Sequence, residues 1–422
     1  MTKRNAPRVE TFGCRLNIWE AEVVRDHASA AGLNDALIFN TCAVTAEAER
    51  QARQSIRRAR RENPETKIIV TGCAAQIAPD SWAGMVEVDH VIGNHDKLGA
   101  SAWQGLALEG SGKKIIVSDV MAVREMAMHM LDGFSAHTRG FLQIQQGCDH
   151  RCTFCIIPYG RGNNRSAAKV QIIDAAAKLI DSGVSEIVLT GVDITSWGSD
   201  LAGRPRLGDL VKALLDEVPG LARLRLSSVD PAEPDAKLMK AIGEEERLMP
   251  HLHLSAQHGD DLVLKQMKRR HLARDVVRFC DEARRRRADV VFGADIIAGF
   301  PTESEAAHTA TREMIDRAGI TFLHVFPFSP REGTPAAKMP QLQGDVIKRR
   351  AKMLRNLGKE RLTRFLENAV GSHDQLLVET GNRGHGRTYT KMRLEGDFVT
   401  PGMLVDVTIQ GRDGDVLLAR RR

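Results

Sequence analysis

Residues 141–162 read FLQIQQGCDHRCTFCIIPYGRG. A strand-like run, FLQIQ, leads into a loop carrying Cys148, Cys152 and Cys155 in the spacing C-x3-C-x2-C. Thiolates are soft ligands, and three from one short loop wrap a single metal cluster. Three is the informative count. A four-iron cluster bound by three cysteines keeps one iron open to a substrate or cofactor, whereas a closed structural zinc site takes four ligands. His150 lies inside the loop, but the tightness of the turn argues against its serving as the fourth.

Working outward, the run at 141–145 is the first of six strand patterns. The others are 186–190, 223–226, 251–254, 290–297 and 322–326, with helical patterns between them. Strands alternating with helices specify a parallel sheet. Six strands fall short of the eight of a complete βα barrel, so the expectation is a partial (βα)6 barrel.

Upstream, strands at 8–12, 36–40 and 67–71 alternate with helices at 18–30, 47–61 and 76–85, giving a separate α/β parallel-sheet domain. Cys14, Cys42 and Cys73 follow VETFG, LIFNT and IIVTG, each just past a strand. The carboxyl ends of parallel strands share one edge, where open α/β sheets place their ligands. Three thiols therefore converge there. The alternative is three buried cysteines packing as small apolar residues. Cys280, in VVRFCDEARR, reads as ordinary helix packing.

Downstream, 344–368 is one long helical stretch. After residue 369, β-like runs (QLLVET, RTYTKMRL, MLVDVTIQ, DVLLAR) are separated by Gly, Asn and Asp turns. They form a small all-β module. Residues 116–138 read as a connector.

The 422 residues carry a net charge of +6 and are 42% hydrophobic, which excludes a disordered or collagen-like chain. Seven cysteines are too few and too scattered for a disulfide scaffold. No apolar run reaches the roughly 18 residues of a membrane span. The start, MTKRNAPRVETFGC, lacks the apolar core of a signal peptide, so a cytoplasmic protein is expected.

Two stretches suit a polyanion. From Asp345 to Glu367 there are eight Lys/Arg against three acids, and 50–61 holds Arg50, Arg53, Arg57, Arg58, Arg60 and Arg61. Such faces neutralise phosphates without reading sequence. Either is equally a solvated helix face. The β module is nearly neutral, with one local patch of Arg383, Arg387, Tyr389, Lys391 and Arg393. GSGKK at 110–114 lacks the spacing and the Ser/Thr of a phosphate loop. GRDGD at 411–415 reads as a hairpin turn, 284–287 as an exposed helix end, and His251 and His253 need no metal.

CxxxCxxC after the first strand of a six-strand βα repeat resembles the radical S-adenosylmethionine (SAM) superfamily. The three-cysteine domain before it and the β module after it resemble the methylthiotransferases, the module being similar to the TRAM RNA-binding domain. FGCRLN at 12–17, NTCAVT at 40–45, CTFCIIPYGRG at 152–162, HLHLSAQHGDDLVLKQMKR at 251–269, ADIIAGFP at 294–301 and FPFSPREGTPA at 326–336 extend the likeness over essentially the whole chain. NTCAVT and the short terminal module resemble most the branch acting on N6-threonylcarbamoyladenosine (t6A) at tRNA position 37.

That resemblance implies three segments: 1–115 with an auxiliary cluster, 134–366 as the radical-SAM domain and 367–422 as the TRAM-like domain. It implies that Cys148, Cys152 and Cys155 hold one four-iron cluster, whose open iron binds SAM. It implies that Cys14, Cys42 and Cys73 hold a second, whose open iron carries the sulfur. A 5′-deoxyadenosyl radical from SAM would take hydrogen from C2 of the adenine, and the methylthio group would replace it. Phe154, Gly191, Asp193, Ser228, Gln257 and Asp295 are the implied SAM contacts. Asp193 stands where His or Asn is expected. The implied partners are tRNA, through its anticodon loop, and an electron donor such as a flavodoxin-like protein. The sulfur donor is unidentified, and no membrane is involved. Still open are isopentenyladenosine-37 or a ribosomal-protein aspartate as substrate, a radical-SAM enzyme whose N-terminal cluster only transfers electrons, and a non-catalytic RNA-binding protein with structural metal.

Overall fold

Leu37–Thr41 and Ile68–Gly72 are buried on both faces, as central strands of a parallel sheet must be. In the computed structural model, which describes residues 6–13, 15–108, 113–126, 138–232 and 235–422, they are the second and third of five parallel strands. The strands are β1 (Arg8–Thr11), β2 (Leu37–Thr41), β3 (Ile68–Gly72), β4 (His90–Ile92) and β5 (Ile115–Ile116), in that spatial order. The helices are α1 (Arg15–Ala30), α2 (Ala46–Glu62), α3 (Cys73–Ile77), α4 (Pro79–Ala83) and α5 (Ala100–Ala107). Alternate strand residues serve opposite faces. Ile38, Ile69 and Ile92 pack on Val24 and Ala28 of α1 and Trp103 of α5. Leu37, Phe39, Ile68 and Val70 pack on Ala52 and Ile56 of α2 and Trp82 of α4.

The helix expected over 76–85 is two short helices. Ala78 has φ −134° and ψ 61° ahead of Pro79, and proline excludes the helical conformation from the residue before it. β4, α5 and β5 had not been expected; β4 and β5 are too short to show a period.

This sheet belongs to one of two compact units, comprising Met1–Leu131, Gln145–Ala167 and Ser329–Ala337. The other comprises Asp132–Ile144, Ala168–Phe328 and Lys338–Arg422. Much of the connector, residues 127–137, and most of GSGKK lie outside the described residues.

β6 (Arg139–Gln143) opens the second unit's sheet. The chain then enters the first unit through β7 (Gln145–Gln146), α6 (Ile157–Arg161) and β8 (Arg165–Ser166). Back in the second unit come α7 (Lys169–Asp181), β9 (Glu186–Thr190), α8 (Leu207–Glu217), β10 (Arg223–Leu226), β11 (Ser228–Val229) and α9 (Ala236–Glu244). β12 (His251–Gln257), α10 (Asp261–Gln266), α11 (Ala273–Arg286), β13 (Val291–Ala298), α12 (Glu305–Ala318) and β14 (Ile320–Pro327) complete the repeat. All pairings are parallel. Only Ser227 separates β10, the edge of a three-stranded sheet ordered β6-β9-β10, from β11, the edge of a four-stranded sheet ordered β11-β12-β13-β14. These are the six expected strands of a partial barrel.

Cys280 is fully buried on α11, and burial pushes its thiol up to about 12. The expected exposed end at 284–287 is half wrong. Arg284 lies 4.9 Å from the Phe292 ring centroid, and Arg287 donates to the Leu248 carbonyl at 2.6 Å.

α13 (Gly344–Ala369) leads into β15 (His373–Thr380), β16 (Arg383–His385), β17 (Lys391–Glu395), β18 (Leu404–Asp413) and β19 (Val416–Arg421). The five close into a barrel around Leu376, Val378, Met392 and Val407, with Leu366 of α13 joining the core. The run RTYTKMRL is not one strand. Its first half is a turn, with Tyr389 N donating to Gly386 O and Tyr389 at φ 67°. Among the described residues no helix is long and apolar enough to cross a membrane.

Candidate active site

The cysteine loop is closed by its own backbone. Cys148 N donates to Gly162 O at 3.0 Å, and Cys155 N to Cys152 O at 3.0 Å. Arg151 donates to Cys148 O and to Asn163 Oδ1, each at 2.7 Å. Segment 329–337 covers the loop, Ala336 N donating to Thr153 O at 2.9 Å, while Arg331 pairs with Glu49 of α2. Cys152 is buried, and Cys148 and Cys155 are half-buried. Three soft donors on one closed loop fit a four-iron cluster. A ring nitrogen of His150 lies within 4.8 Å of the Cys148 sulfur, nearer than the loop's tightness had suggested.

Cys42 and Cys73 directly follow β2 and β3, and both are buried. Cys14 lies outside the described residues, but its neighbour Gly13 does not. Gly13 has φ 98°, and a Cβ there would stand 2.7 Å from Cys42 Sγ. Only glycine brings the backbone this close. Cys42 Sγ accepts from Val44 N at 3.5 Å. Asn94 Nδ2 donates to Cys73 Sγ at 3.4 Å and to Gly160 O at 2.5 Å. A Cβ on Gly160 would lie 3.2 Å from Cys73 Cβ. The loop that carries the later cysteines is thus packed against the sheet edge that carries the earlier ones.

A fully buried ion cluster fixes this packing. Glu20 of α1 meets Lys97 at 2.6 Å and Arg161 of α6 at 2.7 Å. Arg161 also donates to Asn17 Oδ1 at 2.7 Å and Gln146 Oε1 at 2.9 Å. Burial pushes the Glu20 carboxyl up, but Arg161 and Lys97 outweigh it and hold it down at about 2.

The other expected contacts fall in both units. Phe154 is half-buried in the cysteine loop. In the second unit, Gly191 follows β9 directly, and Asp193 accepts from Ser196 Oγ at 2.6 Å. Ser228 opens β11. Gln257 ends β12 at φ 65°, a strained conformation for a non-glycine residue and a mark of functional sites. Asp295 sits inside β13, not at its end. Its Oδ1 is 2.8 Å from His253 Nε2 and 3.4 Å from His324 Nδ1. Against the effect of burial, those two histidines hold its carboxyl well below the usual range.

Sequence reasoning missed Glu20, Asn94 and Gln143. Gln143 ends β6 with a 1% exposed side chain, neither amide atom of which has a partner among the described residues. The only signal for these was polar residues inside otherwise apolar patterns.

The basic stretches are less free than their composition suggests. On α13, Arg350 donates to Glu303 O, Arg361 pairs with Asp316 and Arg364 with Glu360. Tyr389 does not join a surface patch. It stacks on His385 at 4.6 Å, with Arg139 and Arg225 at 5.2 and 5.0 Å from its ring.

A family model described as the radical SAM superfamily matches residues 142–315, and one described as uncharacterized protein family UPF0004 matches 7–93. A threonylcarbamoyladenosine tRNA methylthiotransferase of Rickettsia prowazekii is 48% identical over 93% of this chain and 92% of its own length. One from Aquifex aeolicus is 34% identical over 95% and 99%. A tRNA-2-methylthio-N(6)-dimethylallyladenosine synthase of Erythrobacter litoralis is 33% identical over 90% and 88%. Among solved structures, the radical SAM methyltransferase TsrM of Kitasatospora setae, bound to cobalamin and a 4Fe-4S cluster, matches with a TM-score of 0.54 at 13% identity, over 78% of this chain and 77% of its own. That likeness is one of fold.

Proposed function

The chain belongs to the radical SAM tRNA methylthiotransferases, and from that premise we propose that it adds a methylthio group to C2 of t6A at tRNA position 37. Cys148, Cys152 and Cys155 would hold the radical-SAM cluster, and Cys14, Cys42 and Cys73 a second four-iron cluster. What most supports two cooperating centres is Asn94, whose one amide nitrogen donates to Cys73 Sγ and to Gly160 O in the later loop.

When bound, the clusters and SAM supply the radical that takes hydrogen from C2 and the sulfur and methyl that replace it. The chain's own residues hold and shield. Burial of Cys42, Cys73 and Cys152 excludes water from three sulfurs. Asn94 orients Cys73, and Arg161 fixes the end of the later loop on Glu20. Phe154, Gly191, Asp193, Ser228 and Gln257 remain the proposed SAM contacts. Asp295, already engaged by two histidines, is proposed to orient them. The functional division is proposed as 1–115, 134–366 and 367–422, in a cytoplasmic enzyme fed by a flavodoxin-like electron donor.

Iron per chain tests the assignment. Wild type should hold about eight irons, and the Cys148/Cys152/Cys155→Ala triple variant about four. About four falling to none would leave the earlier cysteines without a cluster and remove the basis for sulfur transfer. Nucleoside mass spectrometry should find the methylthio group on t6A. Finding it on isopentenyladenosine would move the chain to the other tRNA branch.

A further inference from the structure

α2 carries six arginines, and their surroundings divide them into two groups. Arg50 is bound by Glu47, Arg53 lies over the Trp82 ring at 4.1 Å, and Arg60 pairs with Asp89 at 2.6 Å. Arg53 and Arg60 tie α2 to the rest of the first unit, and Arg50 is paired within the helix. Arg57, Arg58 and Arg61 are exposed; Arg57 reaches Glu87 at 4.0 Å, and among the described residues Arg58 and Arg61 make no ion pair. The three line a groove of about 490 Å³ together with Gln51, Gln54, Ser55 and Phe12. Glu47 and Glu49, the acids of the first turn of α2, are already spent on Arg50 and Arg331.

We propose that this groove binds the phosphodiester backbone of single-stranded RNA beside the target base. The proposal rests on the functional reading above and assigns part of its tRNA contact to α2. Exposed guanidinium groups match phosphate oxygens in geometry as well as charge. Phe12 offers an aromatic face of the kind on which an unstacked base rests, and Gln54 and Ser55 offer hydrogen bonds to base or ribose. Phe12 is followed by Gly13, whose backbone lies against Cys42, so a strand in this groove passes beside the earlier cysteines.

The test uses reconstituted holoenzyme, SAM and full-length tRNA bearing t6A. In the Arg57/Arg58/Arg61→Gln variant, KM for tRNA should rise at least tenfold, with kcat and iron content near wild type. The slope of log affinity against log salt should fall by about 2, as expected for three lost contacts at roughly 0.7 each. A charge-matched control, Lys212/Lys240/Arg285→Gln, removes cations from α8, α9 and α11 and should leave both quantities close to wild type. Unchanged KM and salt slope in the α2 variant would overturn the proposal, as would equal losses in the control. If wild type makes no methylthio product from this tRNA, the functional reading fails instead.

Discussion

Arg161 and Glu20 lie 141 residues apart in sequence and meet in a buried ion pair at 2.7 Å. The pair joins the helix after the later cysteines to the helix after Cys14. Removing one partner leaves a charge buried without its counter-ion, which costs about 3–5 kcal/mol. Arg161→Ala should therefore lower the denaturant midpoint sharply and reduce iron retention.

The same pair sets an acid limb of stability. Glu20 ordinarily titrates near 4.5 and is held here at about 2. A depressed carboxyl stabilises fully above its ordinary value, and that contribution disappears as pH falls through the folded value. Stability of the apoprotein should fall by about 3 kcal/mol from this group between those two pH values. Glu20→Gln should flatten that limb. An unchanged slope would mean that Glu20 does not titrate as the pair requires.

The strand alternation, and the positions of Cys42 and Cys73 just past their strands, were legible in the sequence, because period and spacing are local. What holds them together was not. Glu20 sits in the helical pattern RLNIWEAEVV with nothing to distinguish it from a surface acid, and its partners are fixed only by folding. The turn at Tyr389 was misread as strand because Thr, Tyr and Thr are strong β-formers. The arginines of α2 looked equivalent in sequence, but Arg53 and Arg60 pack on other elements while Arg57, Arg58 and Arg61 stay exposed.

Asn94→Ala should uncouple the two centres. The substitution removes the donor to Cys73 Sγ and leaves Gly160 O without it, at a cost of about 1–3 kcal/mol. The variant should still cleave SAM while making less methylthio product and holding less iron. Product at the wild-type level would assign Asn94 to packing alone.

Glu186 is the counter-ion for three arginines in the second unit. Arg139 lies at 2.6 Å, Arg225 at 2.9 Å and Arg223 at 3.8 Å. Burial pushes its carboxyl up, but Arg225 and Arg139 bring it down to about 2. Arg139 also pairs with Glu379 of the terminal barrel, and Arg225 faces Tyr389. Glu186→Gln should destabilise by about 3–5 kcal/mol, because the buried cations lose their anion. Proteolysis near 370, where α13 meets β15, should accelerate. Resistance equal to wild type would show that the terminal barrel is held by its contacts with Leu366 and its neighbours on α13 instead.

Gln143 is costly as it stands. A buried amide with no partner among the described residues forfeits about 1–3 kcal/mol, so their packing alone gives no reason for it to be there. It ends β6, five residues before Cys148, and a bound molecule offering a donor or acceptor would satisfy it. Gln143→Met keeps the volume and removes the polar atoms. The apoprotein should become more stable, with a higher melting temperature, while KM for SAM or for tRNA rises at least tenfold, about 1.4 kcal/mol. The two movements are opposite in sign, which a packing role does not produce. A lower melting temperature with unchanged KM values would make Gln143 a core residue and nothing more.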